Sequence, residues 1–168
     1  MRVATAAALA ITALIAARTA AADGGRVTGT VKVVDAAGKE TTADGVIVYV
    51  VGFAEPAPQK QATIAQKSKR FVPDLVAVTV GQEVSFPNQD SILHNVFSRS
   101  GTRPFDLGQY KKGDTKTKSF PKPGVVDVYC NIHPEMAATI IVVPNKAHTM
   151  AAADGRFAIA NVPAGTWT

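Results

Sequence analysis

Tyr129-Cys130-Asn131-Ile132-His133-Pro134-Glu135-Met136 contains the only cysteine of this 168-residue chain. A thiolate, an imidazole and a thioether fall here at C-x₂-H-x₂-M spacing, directly after an apolar run that reads as a strand. Such donors suit copper. A soft thiolate favours Cu(I), imidazole serves both oxidation states, and a weak axial thioether completes a trigonal His₂Cys set. One more imidazole is then needed from elsewhere, and His94 supplies it in Leu93-His94-Asn95-Val96-Phe97.

Working outward, the compartment agrees. Residues 1–22 read as a secretory signal peptide: Met1-Arg2 is a short positive start, Val3 to Ala17 is apolar, and Ala20-Ala21-Ala22 offers a cleavage site before Asp23. The competing reading is a membrane anchor, but the apolar stretch falls short of the roughly 20 residues a span needs. No second long apolar run follows, so no stable membrane insertion is expected. No cysteine lies near the cleavage site to carry a lipid. The expected location is the periplasm or the extracellular space. Cleavage leaves 146 residues, enough for one domain with a core plus a small appendage. A lone cysteine in an exported chain has no internal disulfide partner, and an unprotected thiol there is a liability that metal ligation removes.

Arg2 and Arg18 leave with the signal, which lowers the formal charge from +5 to +3. Lys111, Lys112, Lys116, Lys118 and Lys122 cluster in one short segment. The plainer explanation is a solvated edge strand whose lysines discourage sheet-to-sheet association. The sharper one is a docking patch for an acidic partner. Nucleic acid is not expected as a partner of an exported chain without a long basic face or stacking aromatics.

The rest reads as almost all β. Arg26 to Val34 is rich in Val and Thr, with a turn at Ala36-Ala37-Gly38-Lys39. Val46 to Val51 is a continuous apolar run, expected to be a buried strand. Leu75 to Val80 alternates, Gly81 turns the chain, and Pro87-Asn88-Gln89-Asp90 breaks the strand that starts at Glu83. Ile92, His94 and Val96 share one face if extended, as do Val126, Val128 and Cys130. Ala138 to Val143 is a strong strand stopped by Pro144. A helix, if any forms, is short and falls near 104–112. The expected fold is an all-β, Greek-key β-sandwich whose loops gather at one end. Expected divisions are a signal peptide (1–22), an N-terminal β segment (23–61), the ligand-bearing domain (62–144) and a C-terminal β segment (145–168).

Each ligand has a duller explanation: His94 as a strand-edge histidine, Met136 as core, Cys130 as a small buried hydrophobe. Together these need three coincidences. Zinc is the metallic competitor, but methionine is not a usual structural zinc ligand and no second cysteine completes a tetrahedral set. His148 is expected to be exposed in a loop and to bind nothing.

The stretch from about Ile64 to Val143 resembles the cupredoxins, the plastocyanin-like type 1 copper proteins. The resemblance rests on Phe71-Val72-Pro73, Gly81-Gln82-Glu83-Val84-Ser85-Phe86-Pro87-Asn88, His94-Asn95-Val96-Phe97, and Phe120-Pro121-Lys122-Pro123-Gly124 leading to Tyr129-Cys130. The ligand loop has amicyanin-like length, and its wording is similar to exported plastocyanin-like proteins associated with methylamine utilisation. The resemblance implies one copper ion with His94, Cys130 and His133 as equatorial ligands, Met136 as the axial one, and Asn95 tying the ligand loops together.

The flanks, Gly29-Thr30-Val31 through Val50 and Ala153-Asp154-Gly155-Arg156-Phe157 through Trp167, resemble two halves of a carboxypeptidase regulatory-like β module. In that family these strings lead into a final strand. The chain stops at Thr168 before it, so either the sequence is a fragment or its C-terminal piece packs differently.

The leading expectation is a monomeric one-electron carrier between redox protein partners. The alternative is copper handling, by delivery, buffering or sensing, from a more exchangeable site. A multicopper oxidase or nitrite reductase needs further histidine-rich centres, and only three histidines exist; the chain is therefore not expected to be an enzyme. A metal-free adhesion module leaves the lone cysteine unexplained. Electrons are expected to leave through the His133 ring edge, inside an apolar patch of Ile132, Pro134 and Met136.

Overall fold

The computed structural model describes residues 24–168, so the expected signal peptide lies outside the described residues. Sixteen strands follow one another among the described residues. The N-terminal flank holds β1 (Gly25–Thr30), β2 (Val33–Val34), β3 (Glu40–Thr41) and β4 (Ile47–Tyr49). The centre holds β5 (Ala62–Thr63), β6 (Ala65–Lys67), β7 (Arg70–Val72), β8 (Leu75–Thr79), β9 (Glu83–Pro87), β10 (His94–Ser98), β11 (Phe105–Tyr110), β12 (Thr115–Ser119), β13 (Gly124–Tyr129) and β14 (Ala137–Val143). The C-terminal flank holds β15 (His148–Met150) and β16 (Arg156–Val162).

The centre is a two-layer sandwich. One sheet runs β11-β10-β13-β14-β8, the other β12-β9-β5, and a bridge from Gln66 to Asn88 joins the β6–β7 hairpin to the second sheet. Strand β14 shows why its sequence pairs in the middle. Ala138, Ile140 and Val142 alternate inward while partners lie on both edges, β13 antiparallel and β8 parallel. Between the layers lie Ile64, Val84, Phe86, Phe120, Val126 and Val128, all without exposure, packed with Cys130 and Met136. Gly81, at φ +87°, makes the turn from β8 to β9, and its N–H donates to the Phe120 carbonyl at 2.8 Å.

No helix forms near 104–112. That segment is β11, paired antiparallel with β10. Two residues, Leu107 and Gly108, oppose the single Val96, and Gly108 has φ +66°. This bulge shifts the strand's phase, so both Phe105 and Tyr110 turn inward although they are five apart. The irregular spacing hides the alternation that marks a strand.

The two flanks pair with each other: β1 with β16 and β4 with β15, both antiparallel. A second, smaller cluster forms there from Val50, Ala147, Ile159 and Val162, with Phe53, Phe157 and Trp167 packed against it. The Val46–Val51 run is not the buried strand its composition predicts. Only Ile47–Tyr49 pairs, in a two-stranded ribbon, and Tyr49 and Val51 are 44% and 37% exposed. A ribbon of two strands covers little more than one face. His148 also differs from expectation. It lies in β15 opposite Tyr49 and is half-buried, and burial lowers its basicity below the usual imidazole range.

Asn145 joins the two regions. Its buried side chain donates to the carbonyls of Val50 (2.9 Å) and Phe53 (3.0 Å) and accepts from Ala147 N–H (3.0 Å). Its own carbonyl accepts from the Thr79 hydroxyl of β8.

Candidate metal centre

Three of the four proposed donors come from one hairpin. Strands β13 and β14 pair rung by rung from Gly124↔Val142 to Tyr129↔Ala137, which leaves Cys130–Met136 as the connecting loop. Cys130 N–H donates to the Met136 carbonyl (3.3 Å), and Met136 N–H to the His133 carbonyl (3.0 Å), so the loop closes on itself. His94 opens β10, the strand beside β13. Its side chain therefore reaches the same end of the sandwich across one strand spacing.

The structure brings His94, Cys130 and His133 together, with ligand atoms within 4.8 Å of one another. His94 Nδ1 and His133 Nδ1 are 3.1 Å apart, and Cys130 Sγ is 4.0 Å from each. These three separations place one point in their plane about 2.2 Å from all three atoms, inside the range of roughly 2.0–2.3 Å over which a first-row ion holds imidazole and thiolate. Met136 is buried in the cluster that contains Cys130. His94, Cys130 and Met136 are almost fully buried, and His133 alone is partly exposed. A His₂Cys set with one soft thiolate fits copper, and among the described residues no further histidine, cysteine or carboxylate joins the group.

The surroundings hold this geometry. Asn95 N–H points at Cys130 Sγ (3.5 Å), a contact suited to a thiolate. The Asn95 side chain accepts from Asn131 N–H (3.4 Å) and donates to Asp106 Oδ1 (2.7 Å). Asp106 Oδ1 also accepts from Gly108 N–H in the β11 bulge (2.7 Å). The bulge thus fixes Asp106, Asp106 fixes Asn95, and Asn95 ties the His94 strand to the Cys130 loop. Tyr110, opposite His94 in the sheet, is buried, which pushes its phenol well above the usual range and keeps it neutral.

Sequence reasoning missed Asp90. Its Oδ2 lies 2.8 Å from His94 Nε2 and also accepts from Lys69 N–H (2.8 Å), while Oδ1 accepts from Ser68 N–H (2.7 Å). Burial works against the charge on this carboxylate, but these hydrogen bonds outweigh it and hold the group below the usual carboxylate range. The available signal was a carboxylate four residues before a ligand histidine. In sequence it reads only as part of a strand-breaking string.

Around His133 the surface is apolar, though not as expected. Met136 is buried and contributes nothing to it. Ile132 is 38% exposed, and the groove is completed by Ile92 and Leu93, 37% and 49% exposed, with Lys69 at its margin. Lys116 and Lys118 lie on β12, an edge strand, with their ammonium groups 5.1 Å and 5.7 Å from the ring centroids of Tyr110 and Phe105. Those two charges are engaged within the fold. Lys111 and Lys112 are exposed and follow Tyr110 directly, at the ligand end of β11.

No family model and no curated protein matches this chain. Among solved structures it is similar to a reduced amicyanin variant, at 21% identity over 51% of this chain and 85% of that one, with a TM-score of 0.48. It is also similar to a purple cupredoxin from Nitrosopumilus maritimus, at 24% identity over 49% of this chain and all of that one (TM-score 0.45). A copper-containing nitrite reductase from Thermus scotoductus is 25% identical over 57% of this chain and 25% of its own length (TM-score 0.48).

Proposed function

We propose that this chain is an exported one-electron carrier. It would hold one copper ion through His94, Cys130 and His133, with Met136 as a weak axial donor. The observation that carries the proposal is the convergence of two Nδ1 atoms and one Sγ on a single point inside a rigid sandwich end. Bound there, copper would supply a one-electron couple. The residues do the rest. The paired strands and the Asn95–Asp106 tie fix the donors, so little rearrangement accompanies a change of oxidation state. The buried faces of His94, Cys130 and Met136 keep water out. His133 is the one donor residue that reaches the surface, inside the Ile132, Ile92 and Leu93 patch, and is the route by which one electron enters from a donor protein and later leaves to an acceptor. Such encounters use small interfaces, under roughly 1,200 Å², and Lys69, Lys111 and Lys112 would steer an acidic partner to this end. The buried donors speak against copper delivery, which needs a readily exchanging site. The paired flanks form a small β module into which the copper domain is inserted.

The decisive experiment adds Cu(II) to the purified protein and records visible absorption and electron paramagnetic resonance. An intense thiolate-to-copper band that reduction bleaches reversibly is expected. A colourless form with an ordinary tetragonal spectrum overturns the proposal. Cys130→Ser should abolish the colour and leave the β fold. Met136→Gln should keep copper and lower the potential. Ile132→Lys should slow electron transfer to a partner with the copper spectrum intact, and charge reversal at Lys111 and Lys112 should slow it at low salt.

A further inference from the structure

The β6–β7 hairpin turns on Ser68 and Lys69, with φ of +53° and +54°. Both central residues of this two-residue turn are left-handed, the arrangement that usually calls for Asn-Gly. Neither residue is of that kind, and the left-handed conformation costs an ordinary residue about 1–2 kcal/mol. Both turn N–H groups point away from the hairpin to one acceptor, the Asp90 carboxylate. That carboxylate is itself held in place. Asp90 N–H donates to Asn88 Oδ1 (2.9 Å), and the buried Asn88 amide donates to the carbonyls of Ile92 (2.9 Å) and Tyr110 (3.0 Å).

Asp90 Oδ2 then faces His94 Nε2 at 2.8 Å. A carboxylate can only accept here, so Nε2 carries the hydrogen, and in the neutral imidazole Nδ1 then carries the lone pair. Nδ1 is the atom aimed at Cys130 and His133. An acceptor behind an imidazole also raises its basicity as a ligand. A negative charge on that acceptor favours the more highly charged oxidation state of a metal in front of it.

We infer that Asp90 is the positioning residue of this centre: anchored by the Ser68-Lys69 turn, it sets the His94 tautomer and orientation and holds the reduction potential down. The potential arm rests on the copper reading above. The tautomer and turn arms do not.

The test starts with metal-free protein carrying ¹⁵N-labelled histidine. The wild type should show His94 as the Nε2–H tautomer. Asp90→Ala should give a mixture of tautomers and faster amide exchange at Ser68 and Lys69. Asp90→Asn keeps a carbonyl oxygen for Nε2–H and should retain the tautomer. On loading with copper, both variants should lower the ratio of Cu(II) to Cu(I) affinity by about tenfold, a rise of about 59 mV for a one-electron couple. Adding Ser68→Asn and Lys69→Gly to Asp90→Ala restores a turn that needs no outside acceptor. The hairpin should then recover, while the tautomer and potential stay altered. An unchanged tautomer in Asp90→Ala, or recovery of tautomer and potential on repairing the turn alone, overturns the inference. If the wild type binds no copper, the proposed function fails, and the tautomer still decides the role of Asp90.

Discussion

The central sandwich and the flanking module are both made of short β strands, yet they are held in different ways. The sandwich encloses sixteen buried residues in one continuous cluster, and the flanks enclose four. Burial scales with the number of layers, and two-stranded ribbons such as β1–β16 and β4–β15 form no second layer of their own. The flank is therefore tied down by a few specific contacts. Asn145 bonds, a Trp167 ring tilted at 53° to Phe53 with centroids 4.9 Å apart, and the Trp167 N–H to the Pro163 carbonyl are the main ones. The His94–Cys130–His133 cluster sits at the end of the well-packed region.

This contrast can be broken by experiment. Phe86→Ala removes a fully buried ring from the sandwich core and should cost about 3–5 kcal/mol in global stability. Chemical denaturation followed at the central strands measures it, and a loss under 1 kcal/mol would mean the core is not what holds the centre. Asn145→Ala leaves two carbonyls and one N–H without partners at the junction, and should cost about 1–3 kcal/mol. Here the loss should show as faster hydrogen exchange at Val50 and Ala147 with exchange in β13 and β14 unchanged. Equal loosening of β13 and β14 would mean the two regions unfold as one unit. Trp167→Ala should cost about 1–2 kcal/mol, because the ring is only half-buried, and should be felt in the flank alone.

The smallest expected effect is a pH dependence. Burial lowers the folded-state basicity of His148, so the unfolded chain binds a proton at higher pH than the folded chain. The stability it contributes is present above the unfolded value of about 6.5 and is lost as pH falls from there toward the folded value. Protection factors of the β4 amides opposite β15, taken relative to the intrinsic exchange rate at each pH, should fall between neutral and mildly acidic pH. His148→Gln should remove that dependence. If it persists in the variant, another group is responsible.

The sandwich was legible in the sequence because its strands are long enough to show alternation or an unbroken apolar run. Leu75–Thr79 alternates, Val126 and Val128 share a face with Cys130, Ala137–Val143 ends in an unbroken apolar run that Pro144 stops, and the cysteine loop states its own chemistry. Segment 105–110 was not legible, because a bulge breaks the period where Gly108 adopts a positive φ. The exposure of Val46–Val51 was hidden too, since apolar composition cannot tell a strand between two layers from a ribbon with one. Asp90 was invisible for a further reason. Its partners Ser68, Lys69 and His94 come from separate elements, and only the packing of the hairpin against the His94 loop brings them together.

The β1–β16 pairing has a mechanical consequence. Gly25, at the start of β1, lies opposite Val162, at the end of β16. Tension applied at Gly25 and Val162 therefore enters at the same rung and opens the ladder one pair at a time, beginning there. Each rung yields at low force, and once Thr30 and Arg156 have parted the load passes to the β4–β15 ladder before it reaches the strands carrying His94 and Cys130. The flank acts as a slack line: a tethered molecule could lengthen under a pull while its donor cluster stayed at rest.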